Sequence, residues 1–146
     1  MKQTGILLDI GVKIKRGAPM QLLENVTVSE NSGISNDYRG KSEKRQVTVL
    51  SDESWESVCT VLSANLDWTN RRANLLISGI ELQNSKGRLL KIGNVTLEIT
   101  GETTPCKLMD ENYPGLKNAL EPNWNGGVTC KVVKGGEIKK GDNVTL

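Results

Sequence analysis

Histidine and phenylalanine are absent from the 146 residues, and aromatic side chains make up only 3% of them. Without histidine, neither a Ser-His-Asp nor a Cys-His nucleophile can be assembled, and no imidazole is available to a metal ion. Three Trp and two Tyr are too few to lay out stacking platforms for single-stranded nucleic acid. An excess of one charge is lacking too: 19 Lys+Arg against 17 Asp+Glu leave a net charge of +2, with no broad basic footprint for a polyanion. No apolar run approaches the ~20 residues that cross a bilayer. The opening Met1-Lys2-Gln3-Thr4 is not followed by the apolar stretch and cleavage site of an export signal. The expectation is a cytoplasmic chain that acts on neither nucleic acid nor membrane.

Cysteine is scarce as well. Cys59, Cys106 and Cys130 are an odd number and form no CxxC, so free thiols in a reducing compartment are expected rather than a disulfide framework. Three Asn-Val-Thr sequons, at Asn25, Asn94 and Asn143, match the glycosylation pattern but stay silent without export.

What remains is 36% hydrophobic and built on Val, Ile and Leu, a β-leaning mixture. The length suits one domain, residues 1–146, with a real core. Strand signals fall at 5–15, 25–28, 47–50, 74–78 and 143–146. Two hairpins are expected. One joins 89–92 to 95–100 through Gly93-Asn94, with Val95, Leu97 and Ile99 on one face; the other joins 128–134 to 137–138 through Gly135-Gly136. Ser51 can cap a helix whose positive end suits Asp52 and Glu53, and Trp55, Val58, Cys59 and Leu62 share a face of it. A shorter helix is expected over 114–120, and the polar segment 29–44 reads as a mobile loop. Many short strands with sparse helix predict a mostly-β barrel or sandwich.

The thiols differ in setting. Cys59, on the apolar helix face, and Cys130, alternating with Val128 and Val132, read as small buried hydrophobes. Cys106 follows a strand in the polar stretch Thr103-Thr104-Pro105-Cys106-Lys107, where an adjacent cation favours the thiolate. Arg71-Arg72 and Lys44-Arg45 suit either a solvated face or a phosphate clamp. The pairs Gly126-Gly127 and Gly135-Gly136 suit turns or anion-binding nests. Asp110-Glu111 has no partner that sequence can identify.

Over nearly its whole length the chain resembles the MOSC domain, named after the C-terminal domain of molybdenum cofactor sulfurase, in a short bacterial form. The resemblance rests on Arg16-Gly17-Ala18-Pro19, Arg45-Gln46-Val47-Thr48-Val49-Leu50, Arg71-Arg72-Ala73-Asn74-Leu75, Pro105-Cys106, Gly126-Gly127-Val128 and Gly135-Gly136-Glu137-Ile138, in this order. It implies a compact MOSC-like β-barrel with one or two short helices, handling sulfur or molybdenum cofactor (molybdopterin). It also implies that Cys106 carries sulfur as a persulfide or ligates molybdenum, with Arg72, Asn74 and Arg45 around the cofactor. Asn125 stands where the family often has Arg, and Asn36 where it often has Gly. No pyridoxal-phosphate lyase or ferredoxin-like segment is present, so the sulfur donor (a pyridoxal phosphate-linked cysteine desulfurase) or the electron donor is expected to be a separate protein. The alternative is a non-catalytic module that binds an anionic small molecule or a partner protein.

Overall fold

The computed structural model describes residues 2–146. The first strand, β1 (Thr4–Val12), is followed by β2 (Gln21–Leu23), β3 (Asn25–Ser29), β4 (Gly33–Ile34) and β5 (Val47–Ser51). Next come α1 (Asp52–Leu62), a 3-10 turn at Trp68–Arg71, β6 (Leu75–Ser78), β7 (Leu89–Ile92) and β8 (Val95–Glu102). The chain ends with α2 (Leu108–Asn112), α3 (Leu116–Leu120), β9 (Val128–Lys134), β10 (Gly136–Lys139) and β11 (Asn143–Thr145).

Seven strands close a barrel in the order β1, β11, β7, β8, β9, β5, β6, with β2 hanging on the outer part of β1. The last strand closes it, Gly5 pairing with Val144 and Ile6 with Asn143. Inward residues alternate as expected: Val95, Leu97 and Ile99 of β8 are all but fully buried beside Leu90 and Ile92 of β7. Three short helices lie outside the wall, one more than the upper expectation. They seal a second core of Leu50, Trp55, Val58, Trp68, Leu116 and Leu120. Ser51 caps α1 by accepting the Ser54 amide at 3.1 Å. No described helix is long and apolar enough to cross a membrane.

Two expectations are corrected. β9 and β10 do not form a hairpin: β9 pairs with β8 and β5, whereas β10 pairs with β3 in a separate three-stranded sheet. Tight packing of Gly135, where a Cβ would lie 2.5 Å from the Val28 carbonyl oxygen, steers the chain onto β3 instead of back along β9. The segment 29–44 is also tied down. Ile34 is wholly buried, and the buried Gln46 side chain donates to the Glu30 and Gly40 carbonyls while accepting the Val132 amide. At its middle, Gly33 (φ +63°) and Gly40 approach so closely that a Cβ on Gly33 would lie 2.9 Å from the Gly40 Cα.

β5 and β6 run parallel, with Val49 opposite Leu75 and Leu50 opposite Leu76, so the residues that enter both strands meet on one side of the barrel. Asn74 fastens this entry. Its Oδ1 accepts the Thr48 amide and hydroxyl, its amide donates to the Gly11 carbonyl and the Asp37 carboxylate, and its backbone N–H bonds the Thr48 side chain. Asn74→Ala would orphan several buried partners, with an expected loss of about 3 kcal/mol in urea unfolding; a loss below about 1 kcal/mol would contradict this role.

Candidate functional site

The parallel entry places Arg45, at the mouth of β5, beside Arg71 and Arg72, which lead into β6. The end of β8 delivers Thr103 to Cys106 to the same place, and the turn before β9 delivers Gly126. Together they line a cleft of about 380 Å³ that also takes in Arg16 and Arg39. Five arginines therefore face one cavity, and among the described residues no carboxylate lines it.

Arg71 is the most constrained of the five. It ends the 3-10 turn, is 7% exposed, and its guanidinium spans three segments. Nε donates to the Gly126 carbonyl at 3.0 Å, Nη2 to the Thr103 carbonyl at 2.9 Å, and Nη1 reaches the Met109 sulfur at 3.7 Å. None of these partners is anionic. Burial pulls the guanidinium down to about 10, opposed by the attraction of the Cys106 sulfur and aided by repulsion from Arg39 and Arg45. It still carries its charge at neutral pH, so a buried cation without a carboxylate sits beside an exposed thiol.

Backbone geometry sets the roles of the neighbours. Asp67 caps the 3-10 turn by accepting the Thr69 amide at 2.9 Å and hydroxyl at 2.7 Å. Arg72 follows in the left-handed region (φ +66°), which turns its side chain away from Arg71 and leaves it exposed on the cleft wall. Gly126 must lack a Cβ, because one would lie 2.6 Å from the Thr103 carbonyl oxygen and 3.1 Å from Arg71 Nη2. Gly126-Gly127 thus serves close backbone approach, and its carbonyls accept from Arg71 Nε and the Thr103 amide. Thr103, 6% exposed, holds the one buried side-chain oxygen without a partner among the described residues.

More positive charge gathers beside the cleft around Tyr38. Tyr38 carries the Lys13 ammonium 5.8 Å and the Arg39 guanidinium 5.1 Å from its ring centre. Burial, with repulsion from Arg72 and Arg39, lowers the Lys13 pKa against the pull of Asp37.

Of the residues singled out from sequence, Cys106, Arg72 and Arg45 meet in the cleft. Asn74 lies just behind it with its amide committed to Gly11, Thr48 and Asp37, so it braces the wall rather than offering a free donor. Arg71 was not separable from Arg72 in sequence; only the 3-10 turn distinguishes them. Cys130 is fully buried, and burial drives its thiol far up. Cys59, expected to be buried, is half-buried at the helix edge, 3.8 Å from the Leu66 carbonyl. The expectation that Asp52 and Glu53 serve the helix end fits, with Glu53 also receiving the Gly79 amide.

Fold and cleft together define a closed β-barrel with a thiol at the rim of an arginine-lined cavity. The chain belongs to the MOSC domain family, whose model matches residues 18–145. Its fold is similar to that of the YuaD protein from Bacillus subtilis (TM-score 0.84, 17% identity, 99% of this chain and 96% of that one). It is also similar to YiiM from Geobacillus stearothermophilus (0.71, 14%, 97% and 73%) and YiiM from Escherichia coli (0.71, 12%, 99% and 68%). No curated protein matches it by sequence.

Two measurements follow from this geometry. With a neutral alkylating reagent on the folded protein, Cys106 is expected to react first, Cys59 more slowly, and Cys130 only on unfolding, as read by peptide mass mapping; labelling of Cys130 before Cys106 would contradict the burial. Asp67 supplies a pH test. The Thr69 hydroxyl and amide hold its carboxyl below the ordinary value. A depressed carboxyl contributes stability in full above its unfolded value of about 3.9 and loses it as pH falls through the native value. Asp67→Asn should therefore flatten the fall of stability below about pH 4, followed by tryptophan fluorescence; an unchanged acid limb would contradict the cap.

Proposed function

We propose that this chain handles sulfur or molybdenum cofactor, with the Cys106 thiolate as the atom that receives the sulfur or the metal. The observation that carries the reading is the exposed Cys106 on a cleft with five arginines and, among the described residues, no lining carboxylate. A persulfide and a molybdenum ion both require a soft, accessible thiolate.

Sulfur uptake needs one displacement. The Cys106 thiolate attacks the outer sulfur of a donor protein's cysteine persulfide; a new S–S bond forms, the donor's S–S bond breaks, and the donor cysteine leaves as thiolate. A separate cysteine desulfurase is the donor class that supplies such a persulfide. Arg71 holds the segment bearing Cys106 by gripping the Thr103 carbonyl, and Arg45 and Arg72 present guanidiniums to a bound anion.

The donor set also fits molybdenum cofactor. Arg45 and Arg72 would hold its phosphate, and Cys106 is a soft ligand for the metal. When bound, that group supplies redox and oxygen-atom chemistry that side chains lack, with electrons from a separate protein.

Anaerobic incubation with a cysteine desulfurase and cysteine, and separately with molybdenum cofactor, tests the reading. The wild type is expected to gain sulfur by intact mass or bound molybdenum by elemental analysis, and Cys106→Ser to gain neither. Metal lost in the variant would make Cys106 a ligand of a reductase component. Neither adduct, with anion binding unchanged in Cys106→Ser, would overturn the reading in favour of a non-catalytic anion-binding module.

A further inference from the structure

We propose that the arginine cleft takes thiosulfate, so that the chain draws sulfur for Cys106 from a small inorganic dianion as well as from a protein persulfide. The inference rests on the persulfide reading above and adds the substrate class. A protein-borne persulfide brings one sulfur anion and needs little beyond access to the thiol. Five guanidiniums around a cavity of about 380 Å³ exceed that need and suit an oxyanion carrying two charges on planar faces of oxygen atoms.

Two further observations point to an anion in this place. Arg71 is a buried cation whose partners are two carbonyls and a thioether, so its charge has no fixed counter-ion. Thr103 lines the same cleft, and its side-chain oxygen is buried without a hydrogen-bond partner. An oxyanion in the cleft would supply the counter-charge that Arg71 lacks.

The reaction balances without an added oxidant. The Cys106 thiolate attacks the outer sulfur of thiosulfate, a cysteine–sulfur bond forms, and the S–S bond of thiosulfate breaks. Sulfite leaves with the electron pair, its sulfur reduced, and the cysteine sulfur is oxidised to the persulfide level. The arginines stabilise the charge that gathers on the departing sulfite. A thiol or cyanide then removes the outer sulfur and restores the thiolate.

The test uses the reduced, folded protein under anaerobic conditions with thiosulfate in one arm, inorganic polysulfide in a second and a cysteine desulfurase with cysteine in a third. Thiosulfate is expected to add one sulfur atom at Cys106 by peptide mass and to release an equimolar amount of sulfite. The exposed pair Arg45→Gln and Arg72→Gln, combined, is expected to slow this by at least roughly tenfold, the scale of losing charge-assisted bonds. A rate equal to the wild type in that variant would overturn the arginine cleft as the thiosulfate site. Loading by polysulfide or by a cysteine desulfurase, but not by thiosulfate, would overturn this inference and leave the persulfide reading intact; loading by none of the three would overturn both.

Discussion

The structure of the cleft depends on one buried guanidinium. Arg71 joins the 3-10 turn before β6 to the end of β8, the turn before β9 and the first turn of α2. Its hydrogen bonds satisfy carbonyls that would otherwise be buried unpaired. Holding a cation at 7% exposure without a carboxylate is costly, and its pKa of about 10 records that cost. The arrangement makes sense when a bound anion shares the site.

The barrel supplies the geometry for this. Because β5 and β6 are parallel, Arg45 and the Arg71-Arg72 pair arrive on the same side, although 26 residues separate the paired positions Val49 and Leu75. Asn74 and Gln46 then convert polar loops into walls, Asn74 by joining β1, β5 and Asp37, Gln46 by holding 29–44 against β9. The thiol itself is kept out of this network, exposed where a reagent can reach it.

Much of this was legible in the residues. The alternation of Val95, Leu97 and Ile99 and the Ser51 cap of α1 announce themselves, because local periodicity and capping chemistry decide them. Cys106 stood out from Cys130 because one sits in a polar loop and the other in a strand's inward row. The failures have a common cause. Gly135-Gly136 reads as a tight turn whether the flanking strands pair or diverge, and only contact with β3 decides. The polar composition of 29–44 hides the two glycines and the single glutamine that order it. Arg71 and Arg72 are chemically identical neighbours, and a left-handed residue sends one inward and the other to the cleft wall.

An accessible Cys106 thiol and a field of arginines meet in the same small volume. Comparing the alkylation rates of Cys106 by anionic iodoacetate and neutral iodoacetamide measures both properties at once. The protein is expected to raise the iodoacetate-to-iodoacetamide rate ratio above that of a free cysteine at equal pH, and added salt to lower it again. A ratio equal to that of free cysteine and indifferent to salt would mean that the arginines do not act on the thiol.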